Sequence, residues 1–205
     1  MAAYFGAAGS RRARIEQYVG HLSTTGVSWG LIGPRELPRI WTRHVLNCAA
    51  VGELFDPEGE QGPVADLGSG AGLPGLVLAI ARPDVSITLI EPLERRVEWL
   101  EMVCDDLGVD NVRVVRARAE DLVDEEIFSA VTSRAVKALS GLVPWTAPLL
   151  SPGGRMLAMK GRSAEDEIEK AGKTLRRLRL DGARVVTVGA AVLAEPSRVV
   201  VATRR

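Results

Sequence analysis

The sequence predicts an α/β fold in which a mostly parallel, seven-stranded sheet follows a small N-terminal helical extension. Three observations lead to this prediction. Before a turn-rich stretch at residues 56–63, the apolar residues recur only at helical spacing. After it, short apolar runs alternate with helical segments, as in a parallel sheet covered on both faces. The last two runs have no helix between them, which predicts a terminal antiparallel hairpin.

The helical extension is assigned to residues 1–60 and the main domain to residues 61–205. Residues 11–22 have helical periodicity. A second helix is predicted to begin near Pro34, because proline is tolerated in a first helical turn, and to run toward Phe55. Its apolar face has alternating spacings of three and four and consists of Leu37, Trp41, His44, Cys48, Val51 and Phe55.

Strands and helices then alternate along the main domain. The predicted strands are residues 64–67, 86–90, 112–117, 130–133, 155–159, 183–188 and 198–202. The predicted helices cover the segment up to about residue 81, then residues 93–107, 139–150 and 164–178. Gly108 is expected to end the helix at 93–107, since glycine adopts the left-handed conformation that follows many helices.

Composition excludes several classes of protein. Basic and acidic residues both number 26, so the net charge is zero and no broad basic field coats the surface. RNA binding through a local patch stays open. The two cysteines have no ligand-like neighbours at short spacing, which predicts free thiols in a reducing cytosol and no metal. Since no apolar run is long enough to span a bilayer, we expect a cytoplasmic protein without membrane attachment.

A glycine-rich turn follows the first predicted strand, in the sequence DLGSGAGLPG at residues 66–75. Its Gly70-x-Gly72-x-x-Gly75 spacing matches the dinucleotide-binding fingerprint, although that match alone is weak. The turn also links a strand to a helix, as the fingerprint requires. Because it contains more glycines than a simple turn needs, we expect its backbone to lie close to a ligand.

The neighbouring carboxylates bear on which ligand this is. Asp66 would repel a pyrophosphate but attract the ammonium and sulfonium groups of S-adenosylmethionine. Gly68 and Gly70 would let the chain pass beneath the methionine part. Glu91, at the end of the second strand, is suited to accept both ribose hydroxyls, a role that serves NAD equally well.

Two further strand ends point toward the same crevice. Ala119 and Glu120 follow the third strand, where a methyltransferase holds the adenine edge. An equally weighted alternative is that this loop caps a short helix at Leu122. Arg134 follows the fourth strand, where its planar guanidinium would engage a ligand carboxylate or an RNA phosphate.

Taken together, these residues resemble the glucose-inhibited division B family, bacterial enzymes that methylate guanine N7 in small-subunit ribosomal RNA. The motifs that carry the resemblance are residues 66–75, Arg43-His44, Ser133-Arg134-Ala135 and Lys160-Gly161. The resemblance implies a Rossmann-like class I methyltransferase, with residues 61–205 as the cofactor-binding domain and 16S rRNA or a small-subunit precursor as partner of a monomer. It also implies S-adenosylmethionine contacts from Gly68, Leu73, Ala119, Glu120 and Arg134.

Two stretches depart from the family pattern. Asn47-Cys48 stands where an Asp-Ser pair is usual, and residues 29–32 replace an Asn-Leu-Thr run. Both stretches are expected to lie outside the cofactor crevice.

The implied chemistry needs few side chains. Guanine N7 has a lone pair and no proton, so alignment of the reactants suffices and no catalytic acid or base is assigned. His44 lies on the apolar helical face, where a satisfied core histidine is expected. For the RNA we assign Lys160 and a stripe of arginines spaced by four, which could equally be solvated surface: Arg35, Arg39 and Arg43.

Two other functions stay open at this point. An NAD-dependent oxidoreductase would use Gly70-x-Gly72-x-x-Gly75, but a proton donor near the crevice is missing from the pattern and Asp66 opposes a pyrophosphate. The terminal hairpin also favours a methyltransferase. The other alternative is a regulator that binds the cofactor without catalysis. A comparison of S-adenosylmethionine binding with NAD binding would discriminate the methyltransferase from the oxidoreductase.

Overall fold

The computed structural model describes residues 1–56 and 62–205, and its centre is a seven-stranded sheet in the order β3-β2-β1-β4-β5-β7-β6. The strands are β1 Val64–Leu67, β2 Ile87–Ile90, β3 Val112–Val115, β4 Phe128–Arg134, β5 Leu150–Lys160, β6 Leu180–Val188 and β7 Ser197–Arg204. Neighbours from β3 to β5 pair in parallel, whereas β7 runs antiparallel to both β5 and β6. The predicted mostly parallel sheet with a terminal hairpin is confirmed.

Eight α-helices surround this sheet in the described part of the chain. They are α1 Ala2–Phe5, α2 Ser10–Ser23, α3 Thr25–Ser28, α4 Leu46–Ala49, α5 Gly75–Ala81, α6 Glu94–Leu107, α7 Leu139–Thr146 and α8 Ala164–Arg177. Gly108 has a φ of 57° and ends α6, as predicted. No described helix combines the length and apolar character needed to cross a membrane.

The long helix predicted up to Phe55 does not exist as one α-helix. The chain forms a 3₁₀ helix at Pro34–Arg39 and a π-helix at Ile40–Val45 before α4, then a second 3₁₀ helix at Ala50–Leu54. Pro38 lies inside the first 3₁₀ segment and has no N–H to donate to an α-helical ladder. The four-residue spacing of Arg35, Arg39 and Arg43 therefore does not place them on one continuous α-helical stripe.

The strands β4 and β5 are longer than predicted. The first part of β5 contains Pro152 and Gly153, which are disfavoured in strands and hid this part from the sequence-based prediction. A register shift also interrupts its pairing with β4. The helix predicted for residues 139–150 is also shorter than expected. It ends at Thr146, and a 3₁₀ helix at Ala147–Leu149 connects it to β5.

Two hydrophobic clusters cover the two faces of the sheet. One contains Tyr18 of α2 together with Leu76 of α5 and Leu100 of α6. The other contains Leu142 of α7 and Leu175 of α8. The N-terminal helices therefore share a core with the helices on one face of the sheet. The predicted boundary between residues 60 and 61, and most of the turn-rich stretch around it, lie outside the described residues.

Candidate cofactor-binding site

A cavity of about 720 Å³ opens at the carboxyl ends of β1, β2 and β4. Open α/β sheets bind their ligands at this edge. Seven of the eight predicted cofactor residues line the cavity, namely Gly68, Gly70, Leu73, Glu91, Ala119, Glu120 and Arg134. Asp66, the eighth, is fully buried and lies outside the cavity lining.

The turn after β1 depends on glycine for its conformation. Gly68, Gly70 and Gly72 have φ values of 73°, 58° and 81°, in the region that side chains disfavour. A Cβ on Gly68 would stand 2.9 Å from Val136, so that position is closed. A Cβ on Gly70 would meet only a backbone oxygen at 3.9 Å, so Gly70 leaves its backbone accessible from the cavity.

Gly75 has a different role, at the start of α5. A Cβ there would lie 2.4 Å from Leu89 and 2.6 Å from Asp66, so glycine permits the close packing of α5 against β1 and β2. The Gly75 N–H donates to Oδ2 of Asp66 over 2.9 Å. Asp66 therefore braces the start of α5, and the direct approach of its carboxylate to the ligand stays a prediction.

The second carboxylate oxygen of Asp66, Oδ1, is buried without a hydrogen-bond partner among the described residues. Burial, reinforced by the negative charge of Glu91, raises the pKa of Asp66 to about 7. A buried carboxylate with an orphaned acceptor favours a cationic or N–H-bearing ligand nearby and disfavours a pyrophosphate. The residues present therefore fit S-adenosylmethionine better than a dinucleotide.

Glu91 is 1% exposed and follows β2 at the cavity wall. Its Oε2 accepts the N–H of Gly70 at 2.9 Å, and its Oε1 accepts the N–H of Leu93 at 3.1 Å. Arg96 lies 3.6 Å from Oε2. Each oxygen retains a lone pair for a ribose hydroxyl. Glu91 thus ties the glycine turn to the end of β2.

The loop after β3 forms a capped short helix and also lines the cavity. A 3₁₀ helix forms at Ala119–Leu122, and the carboxylate of Asp121 caps it by accepting the Arg118 N–H at 3.1 Å. Ala119 and Glu120 line the cavity. Capping and cavity lining are therefore divided between neighbouring residues.

Arg134, at the end of β4, is held by the N-terminal segment. Its Nη2 donates to Nδ1 of His44 at 2.8 Å and to the carbonyl of Arg43 at 3.3 Å, while Nη1 donates to Sγ of Cys48 at 3.3 Å. Arg134 lines the cavity, where it was predicted to engage a ligand.

The N-terminal segment contributes cavity residues that the sequence did not reveal. His44 is buried and satisfied at both ring nitrogens, as expected, and it also lines the cavity. Leu31 and Ile32 line it as well. The expectation that residues 29–32 lie outside the crevice is therefore wrong. Asn47 and Cys48 do lie outside the cavity lining, although the Cys48 thiol contacts Arg134. Helical periodicity could not reveal this, because the segment is not α-helical.

The residues assigned to RNA lie at different places. Lys160 is outside the cavity lining; its Nζ lies 2.9 Å from Oε2 of Glu167 and donates to the Lys137 carbonyl. The Arg39 and Arg43 side chains are 55% and 56% exposed, and both approach the carboxylate of Glu36, at 3.3 and 3.7 Å. Arg35 is exposed.

A sheet whose seventh strand is inserted antiparallel between the fifth and sixth, with a glycine turn after β1 and a carboxylate after β2, defines a class I S-adenosylmethionine-dependent methyltransferase. A structural neighbour, M. jannaschii TYW2 in complex with AdoMet, has this fold, with a TM-score of 0.59, 16% identity, and coverage of 80% of this chain and 76% of that one.

The family is narrower than the fold. The model of the GidB family, rRNA small subunit methyltransferase G, matches residues 11–195, and the chain belongs to this family. The ribosomal RNA small subunit methyltransferase G of Pseudarthrobacter chlorophenolicus is 57% identical over 192 residues, covering 94% of this chain and 88% of the relative. The protein of that name from Renibacterium salmoninarum is 56% identical over 193 residues, with 94% and 88% coverage. Family membership overturns the oxidoreductase alternative.

Proposed function

We propose that this protein transfers a methyl group from S-adenosylmethionine to N7 of a guanine in 16S rRNA, either naked or within a small-subunit precursor. The observation that carries the proposal is the cavity at the carboxyl ends of β1, β2 and β4, with the glycine turn and Glu91 on its wall and Arg134 at the end of β4. Membership of the small-subunit methyltransferase G family supports the choice of ribosomal RNA.

Each part of the cavity suits one part of the methyl donor. Gly68, Gly70 and Leu73 would lie against the methionine part, and Arg134 would hold its carboxylate. Glu91 would accept the ribose hydroxyls. The adenine would lie against the loop after β3, at Ala119 and Glu120. When bound, S-adenosylmethionine supplies a methyl group carried by a sulfonium.

Charge explains why a sulfonium would be retained here. Glu91 is almost fully buried beside the cavity, and Asp66 is buried close behind the same turn. The Glu91 carboxylate, and the Asp66 carboxylate when it is ionised, disfavour an anionic ligand and favour a cationic one. Because the pKa of Asp66 is about 7, a nearby sulfonium would also favour its ionised form. The demethylated product has lost the sulfonium charge and gains less from these carboxylates, which favours exchange after transfer.

The proposed reaction requires no acid–base catalyst. His44 is the histidine at the cavity, and both of its ring nitrogens are engaged, one by Arg134 and the other by Glu36. Guanine N7 attacks with a lone pair and carries no proton to remove. Holding the acceptor in line with the methyl group is therefore the enzyme's main task.

The RNA contacts remain a proposal about exposed arginines. Arg39 and Arg43 share the single carboxylate of Glu36, so this group retains a net positive charge near the cavity residue His44. Arg35 adds a further exposed cation. Lys160, paired with Glu167, is better suited to positioning α8 beside β5 than to meeting RNA. A cytoplasmic monomer, and a division into residues 1–60 and 61–205, stay predictions.

Calorimetric titration with S-adenosylmethionine, its demethylated product and NAD tests the cofactor assignment. We expect saturable binding of the first two at one site per chain and no binding of NAD. Binding of NAD with comparable affinity, or absence of binding by S-adenosylmethionine, would contradict the proposal.

A further inference from the structure

We infer that Glu36, His44 and Arg134 form a hydrogen-bonded relay in which Glu36 fixes the tautomer of His44, and His44 directs the guanidinium of Arg134 toward the cavity. His44 and Glu36 are thus positioning residues that act through Arg134. This inference deepens the proposed function and rests on it for the identity of the ligand.

Hydrogen-bond chemistry allows one proton arrangement. Nη2 of Arg134 lies 2.8 Å from Nδ1 of His44, and an arginine nitrogen can only donate, so Nδ1 must be an unprotonated acceptor. The ring proton is then on Nε2, which lies 2.9 Å from Oε2 of Glu36. A carboxylate accepts that proton. Each member of the relay therefore determines the role of the next.

Burial and neighbouring positive charges keep His44 neutral. Burial lowers the His44 pKa, and the positive charges of Arg134 and Arg43 lower it further, while the hydrogen bond to Glu36 opposes them. Arg39 faces the same Glu36 carboxylate, and the buried Cys48 thiol contacts Nη1 of Arg134. Protonation of His44 would replace an acceptor by a donor and set two cations against each other.

His44 is the nearest of the three acceptors that hold the guanidinium. The other two, the carbonyl of Arg43 and Sγ of Cys48, both lie at 3.3 Å. Loss of the 2.8 Å bond would leave Arg134 fixed by its weaker contacts alone. The relay also connects the N-terminal segment, which supplies Glu36 and His44, to the strand end that supplies Arg134.

The tautomer can be observed directly. The chain has two histidines, His21 and His44, so long-range ¹H–¹⁵N correlation spectra of the full-length protein contain two imidazoles to assign. A His44→Asn variant assigns them. We expect His44 to be neutral at pH 7 with its proton on Nε2. A proton on Nδ1, or a cationic ring, would overturn the relay.

The consequence for the cofactor is tested by calorimetry with S-adenosylmethionine between pH 5 and pH 8. His44→Phe keeps an aromatic ring but has no acceptor, and we expect its affinity to fall about tenfold, as for the loss of one charge-assisted hydrogen bond. His44→Asn can still offer an acceptor and does not titrate. It should bind within about threefold of wild type at pH 7 and lose less affinity than wild type at low pH.

His21→Asn is the matched control, since His21 pairs with Asp106 at 2.7 Å and is not a cavity residue. It should keep the wild-type pH profile. Asp66 also titrates near the cavity, but it is present in every variant and cancels in the comparison. Melting temperatures establish that each variant is folded.

The inference fails if a folded His44→Phe protein binds as tightly as wild type, or if His44→Asn and wild type share one pH profile. If wild type itself binds no S-adenosylmethionine, the proposed function fails instead, and the tautomer measurement still decides the relay.

Discussion

The hydroxyl of Tyr18 donates a 2.5 Å hydrogen bond to the backbone carbonyl of Ala71. Tyr18 belongs to α2 and is fully buried, and Ala71 lies within the glycine turn of the cavity. Burial raises the Tyr18 pKa well above its usual range, so the phenol stays protonated and remains a donor. A helix of the N-terminal segment therefore supports the backbone that contacts the cofactor in the proposed function.

Tyr18→Phe should weaken both stability and cofactor binding. The variant leaves the Ala71 carbonyl without its buried donor, which costs about 1–3 kcal/mol of the free energy of unfolding. The turn also loses a support, so we expect a several-fold weaker affinity for S-adenosylmethionine by calorimetry. The control is Tyr4→Phe, which removes the other tyrosine hydroxyl, bonded at 2.6 Å to Glu53 in an exposed contact. Equal affinities in the two variants would contradict a supporting role for Tyr18.

Gly70→Val should abolish binding of S-adenosylmethionine by placing a branched side chain at the cavity wall. Backbone strain is a competing explanation, because Gly70 has a φ of 58°. Gly108 has a φ of 57° and ends α6, and a Cβ added there would meet no atom within 4 Å. Gly108→Val therefore carries the same strain without blocking the cavity. It should lose similar stability and keep wild-type affinity; loss of affinity in both variants would refute the placement.

Asp66 makes stability depend on pH with an unusual sign. Its pKa is raised from 3.8 to about 7 in the folded protein, so folding strengthens its hold on a proton. Its contribution to stability is fully present below pH 3.8 and is lost as the pH rises to about 7. Asp66→Asn does not titrate. The free energy of unfolding of this variant relative to wild type should rise by about 1.4 kcal/mol per pH unit in that window and level off above it.

Denaturant unfolding across this pH range measures the free energy of unfolding of each variant, and Asp84→Asn serves as the control. The hydrogen bonds from Arg82 lower the pKa of Asp84, so its stabilising effect is present above pH 3.8 and disappears only in stronger acid. The difference between this variant and wild type should be flat where the Asp66 difference rises. A flat Asp66→Asn difference would show that the carboxylate is not desolvated.

The exposed arginines make a prediction about salt. If Arg35, Arg39 and Arg43 contact phosphates of single-stranded RNA, their joint replacement by glutamine should lower the slope of log affinity against log salt by about 2. Binding of S-adenosylmethionine should not change. A triple glutamine variant at Lys173, Arg176 and Arg177 of α8 removes the same charge elsewhere. Identical slopes in the two triple variants would mean that the first group is solvated surface.

The sequence was sufficient where local chemistry determines structure. The strand β1, the glycine turn and the stop at Gly108 follow from residue types whose backbone preferences act over a few positions. The alternation of strands and helices likewise determines the parallel part of the sheet. These features located the glycine turn and the strand ends that form part of the cavity wall.

Contacts distant in sequence were beyond such reasoning. His44 and Arg134 are 90 residues apart, and periodicity on a presumed α-helix predicted the burial of His44 but neither this contact nor its place at the cavity. The π-helix at Ile40–Val45 rotates the segment relative to that expectation. Asp66 shows a related limit, because its position predicts proximity to the ligand but not which backbone N–H its carboxylate accepts.

The central claim is that the cavity directs a methyl group to guanine N7, and mapping of the modified atom tests it most directly. Unmodified 16S rRNA and small-subunit precursor particles are incubated with the protein and methyl-labelled S-adenosylmethionine, with an Arg134→Ala protein as control. At a 7-methylguanine, reduction followed by aniline treatment cleaves the RNA strand. Primer extension then locates the cleavage and hence the modified guanine. The account predicts label incorporation with cleavage at one guanine for wild type, and little of either for Arg134→Ala. Label without aniline-sensitive cleavage, or no label on either RNA substrate, would contradict it.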